Sequence, residues 1–224
     1  IREQKKFILK NLDKQIEDNV KNAKESSTAN NKENISSYQR FFYQEAFRNI
    51  LTSIRFLESD KEINVVTITS SVPAEGKTLV NILLAKTYSE LDKKVLIIDG
   101  DMRKPQLHYR LGMNNILGLS NILTDSSLDV SKVIKKVEGY DNWDVITSGF
   151  VPPDPARLLS SDRMNEFINT LKNLQRYNIV IFDCPPVIGL ADASLIAEKT
   201  DGMILLVSLD KVPVGLPLEA KKIM

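Results

Sequence analysis

Apolar positions along the chain follow two patterns. Continuous runs rich in β-branched side chains occur at 65–69, 94–98, 143–147, 178–182 and 203–208. Short continuous runs are expected of strands buried on both faces. Between them lie stretches with helical spacing. In 38–57 the apolar residues at 42, 46, 50, 54 and 57 share a face. The run 79–88 follows a tight turn and is expected to end as a helix near 91–93. In 162–176, with Asp162 as the expected cap, Met164, Phe167, Ile168, Leu171 and Leu174 align. Shorter helices are expected at 192–199 and 213–224. The middle, 106–140, reads as short helical pieces broken by Gly112, Gly118 and Gly139, and Pro152-Pro153-Asp154-Pro155 as a rigid extended loop. Strands alternating with helices predict an α/β domain: a mainly parallel central sheet with helices on both faces.

Residues 1–37 differ. Positions 1–20 are expected to be helical, with Phe7, Ile8, Leu12 and Ile16 near one face and Arg2, Lys5, Lys6 and Lys10 around it. Positions 21–37, nearly free of apolar residues, are expected to be a flexible linker. The basic start reads as a solvated helix face or, more sharply, as a segment beside anionic lipid. This sets a domain boundary at 37/38. The chain opens on Ile1 rather than Met, so a fragment is expected.

Composition narrows the function classes. A formal net charge of +1 offers no global attraction for nucleic acid, and none is expected as a partner. The single cysteine, Cys184, cannot form an internal disulfide, which suits a reducing cytosol. No apolar run reaches the ~18 residues of a membrane span. His108, the single histidine, has no partner cluster and is expected on a loop surface rather than on a metal.

The chemistry gathers after three of the expected strands. The first is followed by Ser71-Val72-Pro73-Ala74-Glu75-Gly76-Lys77-Thr78, then the apolar run from Leu79. Strand, tight loop and helix in that order make a phosphate site. Backbone N–H groups and the helix N-terminus point at one spot, and the helix dipole favours an anion there. Lys77 is expected to reach the β and γ phosphates and the Thr78 hydroxyl to ligate Mg²⁺. Ser71, Pro73, Ala74, Glu75, Gly76, Lys77, Thr78 and Leu79 form the expected nucleotide cradle, with Ser71 where the motif's first glycine normally stands. The second expected strand ends in Asp99-Gly100-Asp101, the fourth in Asp183. Mg²⁺ takes one or two carboxylates together with substrate phosphates. Asp183, with Asp99 or Thr78, suits it. A remaining carboxylate is free to orient an attacking hydroxyl or take its proton.

The set 70–78, then Val95 to Pro105 with its Asp99-Gly100-Asp101-Met102-Arg103-Lys104 block, then Ile179 to Pro186, resembles the bacterial tyrosine kinases of capsule and exopolysaccharide synthesis. The run Gln44 to Phe56 and the segment Ser148 to Leu159 are similar to further blocks of that family. The resemblance covers roughly 38–224. It implies a P-loop fold shared with partition-type ATPases, ATP/ADP and Mg²⁺ as cofactors, and phosphoryl transfer to tyrosine, largely on neighbouring copies. It makes Lys77 the phosphate lysine, Asp99 the base or a metal contact, Asp101 a supporting or alternative group, and Asp183 the Walker B carboxylate. It implies homo-oligomers through Glu45 and Arg48, a membrane-anchored polysaccharide co-polymerase as partner, and a place at the cytoplasmic face of the inner membrane.

Departures are visible. Ala74 stands for a glycine, Cys184 for a threonine, Leu51 for an arginine, and Gln106 where some members carry a regulatory tyrosine. The tyrosines, at 38, 43, 88, 109, 140 and 177, form no C-terminal cluster. The alternatives are a partition-type switch ATPase, against which Val72 stands where a second lysine is expected, and a nucleotide-binding adaptor without turnover.

Overall fold

The computed structural model describes residues 32–57, 63–209 and 212–224, with backbone only for 32–41, 55 and 57. The basic helix expected at 1–20 and the linker at 21–31 lie outside the described residues. Helix α1 spans Lys32–Leu57, so 32–37, expected as linker, is helical. Lack of apolar residues there predicted the absence of a core, but Lys32 and Glu33 favour a helix. The buried stripe of α1 is Phe47, Leu51 and Ile54, whereas Phe42 and Ile50 are exposed. The expected face is thus rotated by about one position. The compact unit that carries the sheet begins at Ser53, inside α1.

That unit runs β1 (Val65–Ser70), α2 (Lys77–Glu90), β2 (Val95–Asp99), α3 (Leu107–Leu111), α4 (Leu119–Thr124), β3 (Lys135–Lys136), β4 (Trp143–Ile146), α5 (Pro155–Leu159), α6 (Asp162–Leu174), β5 (Ile179–Asp183), α7 (Asp192–Ala197), β6 (Gly202–Leu206) and α8 (Gly215–Ile223). The strands form one six-stranded sheet ordered β3-β4-β2-β5-β1-β6. All pairings are parallel except the short antiparallel contact of β3 with β4. The sequence held no expectation of β3, which is too short to show a period.

Alternation along the strands divides the core in two. Leu96, Ile98, Val180 and Phe182 point into a cluster completed by Met164, Phe167 and Ile168 of α6 and Leu119 and Ile122 of α4. Val95, Ile97, Ile179 and Ile181 are equally buried, and α2 packs against β1, β2 and β5. Helices therefore cover both faces of a parallel sheet.

Two expected boundaries shift for local reasons. Ser161, not Asp162, caps α6, its hydroxyl accepting the Met164 N–H at 3.3 Å. The proline-rich loop ends in a helix: Asp154 accepts the Arg157 N–H at 3.1 Å, and Pro155 starts α5. A proline is favoured at the first helical position, where its missing N–H costs nothing.

The far side of the sheet is tied to α6. Asp201 accepts the N–H groups of Asn64 (3.0 Å) and Val65 (2.9 Å) and pairs with Lys172 at 2.8 Å. Beside the other edge, Lys135 of β3 donates to the carbonyls of Asn114 and Leu117, both at 2.9 Å, and to the Thr147 hydroxyl at 2.7 Å. Burial pushes that ammonium's pKa down. Gly118 makes the closest backbone approach there: a Cβ would collide with the Gly149 nitrogen and the Thr147 carbonyl. His108 sits half-buried on α3, its ring 4.0 Å from that of Tyr109, rather than on a loop.

Candidate active site

Ligands in such sheets bind beyond the carboxyl ends of the strands, where the strand order reverses direction. β1 leads through α2 to β2, skipping the place that β5 later fills. The ends of β1, β2 and β5 therefore meet, and all three loaded segments are brought together.

The loop between β1 and α2 presents Pro73, Ala74 and Gly76 to solvent, while Ser71, Glu75 and Thr78 are buried and Leu79 is half-buried. Gly76 lies at φ 89°, the left-handed region, and leads into the N-terminus of α2. Ala74 lies at φ 68°. The position that carries alanine instead of glycine thus does require the left-handed backbone, at a cost of about 1–2 kcal/mol for a residue with a Cβ. Ala74→Gly is expected to raise stability by about 1 kcal/mol, or about 2–4 °C in Tm for a domain of this size. Thermal unfolding of both forms without nucleotide checks this, and a lower Tm for the glycine variant contradicts it.

Glu75 is committed to the loop itself. Its carboxylate accepts the Val72 N–H at 2.8 Å and the Ser208 N–H at 3.0 Å. It braces the phosphate loop against the segment leaving β6. The Ser71 hydroxyl is fully buried with no hydrogen-bond partner among the described residues.

Lys77, at the first position of α2, reaches across to two strand ends. Its Nζ lies 3.1 Å from Asp183 Oδ1 and 4.0 Å from Asp101 Oδ2. Burial alone lowers its pKa, but the carboxylates of Asp183 and Asp101 outweigh this and hold the ammonium above its ordinary value. Asp99 and Asp183 are register partners on β2 and β5, about 5 Å apart along the hydrogen-bonding direction. Both are essentially inaccessible, with Asp99 at 0% exposure and Asp183 at 1%. Burial and the neighbouring Asp183 push Asp99 well above the usual carboxylate range. Its oxygens accept the N–H groups of Asp101 (3.2 Å) and Leu107 (3.1 Å). Asp101 stands nearer the rim, its Oδ1 on the Lys104 N–H at 2.9 Å, and burial raises it too.

Sequence reasoning missed Asn81, Arg103 and Asp192. Asn81 donates to Asp183 Oδ1 at 2.8 Å. Its spacing of four from Lys77 on α2 was the available signal. Arg103 forms a two-point pair with the fully buried Asp192, at 2.7 and 2.9 Å. Nothing local in the sequence links positions 89 apart. Cys184 is fully buried, and burial pushes its thiol up.

No set of three acidic, histidine or cysteine side chains among the described residues could hold a metal unaided. The donor set still suits Mg²⁺. Carboxylate and hydroxyl oxygens stand beside a phosphate cradle, and that ion keeps waters and completes its shell with substrate phosphates.

A family model described as an AAA domain matches residues 63–212. Tyrosine-protein kinase YwqD of Bacillus subtilis is 37% identical over 178 residues, covering 80% of this chain and 73% of that protein. Tyrosine-protein kinase wzc of Salmonella typhimurium is 38% identical over 73% of this chain, which spans only 22% of its length. The crystal structure of the chimerical protein CapA2B2 superposes with a TM-score of 0.74 at 35% identity, over 80% of this chain and 77% of that one. With a nucleotide-binding P-loop fold, three strand-end segments gathered around Lys77 and these relatives, the chain belongs to the bacterial tyrosine-protein kinases.

Proposed function

We propose that the chain transfers the γ-phosphoryl group of ATP to tyrosine hydroxyls, on other copies of itself among them, in control of capsule or exopolysaccharide synthesis. One observation carries this reading. The single lysine of the phosphate loop lies 3.1 Å from Asp183 and 4.0 Å from Asp101, so cradle, cation and carboxylates share one site. Phosphoryl transfer asks the protein mainly for positioning and charge neutralisation. The loop amides and Lys77 hold the β and γ phosphates. Thr78 and Asp183, with Asp99 as an alternative, would hold Mg²⁺, which when bound neutralises charge on those phosphates. The tyrosine oxygen forms the new bond to phosphorus, the bond to the β-phosphate oxygen breaks, and ADP leaves. Asp99, at the carboxyl end of β2 beside Asp183 of β5, takes the hydroxyl proton, with Asp101 as the alternative.

Residues 38–224 are the proposed kinase domain, and 1–37 a juxtamembrane segment. The setting is the cytoplasmic face of the inner membrane, beside a polysaccharide co-polymerase that is either fused or separate. Among the described residues no helix is long and apolar enough to cross a membrane. Self-association is assigned to α1, whose Arg48 and Glu45 pair within the helix at 2.6 Å and are exposed enough to exchange partners.

Incubation with Mg·ATP and an acceptor polypeptide rich in tyrosine, followed by phosphotyrosine detection and ADP measurement, tests the function. Labelled tyrosine is expected. ADP release without labelled tyrosine would indicate the switch ATPase, and nucleotide binding without ADP the adaptor.

A further inference from the structure

We propose that Asn81 is the positioning residue that keeps Asp183 fixed when Lys77 turns from that carboxylate to the nucleotide. The inference rests on the nucleotide site described above and extends it to a residue outside the phosphate loop and the three strand-end segments.

Lys77 and Asn81 lie one turn apart on α2 and converge on one atom. Asp183 Oδ1 accepts from Lys77 Nζ at 3.1 Å and from Asn81 Nδ2 at 2.8 Å. Its second oxygen has no hydrogen bond among the described residues and remains for a metal or a metal-bound water. Asn81 is itself 0% exposed. Its own carbonyl oxygen is buried with no partner among the described residues. A buried unpaired amide oxygen costs stability, and an apolar side chain of similar size would avoid that cost. Packing therefore does not account for an asparagine at this position; the bond to Asp183 does.

The two donors differ in what they can do later. Lys77 serves phosphates by leaving Asp183, because one ammonium cannot stay centred on a carboxylate and span two phosphate groups. Asp183 would then lose its charged partner just as a cation must be held. Asn81 is neutral, buried and fixed on the helix, so it remains. It holds Oδ1 in place and keeps Oδ2 aimed at the cation without competing with it for charge. Groups that orient a metal ligand in this way commonly matter about 10–100-fold for metal affinity or activity.

The test uses Asn81→Leu, with Asn81→Ser as the variant that retains a donor. ADP affinity is measured by titration in EDTA and again in saturating Mg²⁺, with Tm recorded for each empty protein. For Asn81→Leu the expected result is metal-free ADP affinity within about 2-fold of the parent, an unchanged or higher Tm, and a Mg²⁺-linked gain in affinity reduced about 10-fold, partly restored in Asn81→Ser. A full Mg²⁺-linked gain in Asn81→Leu would overturn the proposal. So would a parallel loss of Tm and of metal-free affinity, which marks a merely structural residue. A parent protein whose ADP affinity ignores Mg²⁺ overturns it as well. Absence of tyrosine labelling beside an intact Mg²⁺-linked gain in the parent would instead count against the kinase reading alone, since these readouts need no transfer.

Discussion

Replacing Lys77 by methionine is expected to abolish tyrosine labelling, with transfer falling about 10³-fold or more, the scale seen when a cationic or hydrogen-bonding group is withdrawn from charge developing in a transition state. Methionine keeps most of the side-chain volume and removes the charge. The same change acts on the empty protein. Lys77 offsets two carboxylates, at 3.1 and 4.0 Å. Withdrawing the cation leaves Asp183 with Asn81 as its remaining side-chain partner and Asp101 with its backbone contact to Lys104. Breaking a buried pair costs about 3–5 kcal/mol when the remaining charge has no other partner. Here the amide donors remain, so about 1–3 kcal/mol is expected. Lys77 is held above its ordinary pKa. Its contribution is therefore fully present below the unfolded value and is lost as pH rises through the folded value. The Tm difference between parent and variant should persist across the neutral range. Phosphotyrosine detection and thermal unfolding on one preparation check both halves, and an undiminished label would place the phosphate lysine elsewhere.

Asp99→Asn is expected to separate activity from stability in the opposite sense. Transfer should fall about 10²–10⁴-fold, the usual contribution of a general base, with nucleotide binding retained. The empty protein should become more stable by about 0.5–2 kcal/mol, as is common when a functional site is relieved of strain. Two effects compete. The carboxylate gains hydrogen bonds from the N–H groups of Asp101 and Leu107, and asparagine keeps only one acceptor oxygen. Against this stand burial and the charge of Asp183 on the adjacent strand. The pKa of Asp99 is raised well above the ordinary value, so the unfavourable effects on the ionised form win. A raised carboxylate stabilises the fold fully below its unfolded pKa, and that contribution is lost as pH rises through the folded value. The advantage of the asparagine variant should thus be larger at neutral pH than at pH ~4. Thermal unfolding across that range checks the sign. Retained transfer would move the base to Asp101, and loss of Mg²⁺-dependent binding would make Asp99 a metal ligand.

Much of this was legible in the chain because its signals are local. A strand buried on both faces must be apolar throughout, so β1, β2, β4 and β5 were visible within a residue or two. The phosphate loop needs a turn, a lysine and a helix start in sequence order, and it lies where that order put it. The acidic residues at 99, 101 and 183 were found because parallel strands deliver their carboxyl ends to one side. Boundaries that depend on a single cap, such as Ser161 before α6 or Asp154-Pro155 before α5, were misplaced although their signals were present. The burial phase of α1 was misread because apolar residues occur on more than one of its faces, and periodicity alone cannot choose between them.

Other features had no local signal. Lys77 and Asn81 share Asp183 only because α2 lies on the face of β5, and Arg103 meets Asp192 across 89 positions. Glu75 resembles a ligand contact in the sequence, yet the segment leaving β6 claims its carboxylate. By itself the sequence determined the strand–helix alternation, the phosphate loop and the acidic strand ends, since each follows from short-range sterics and side-chain period. Only the tertiary structure decided which donor serves which carboxylate and which acid is neutralised or raised. Those properties depend on distance and burial in three dimensions, and the order of residues along the chain does not specify either.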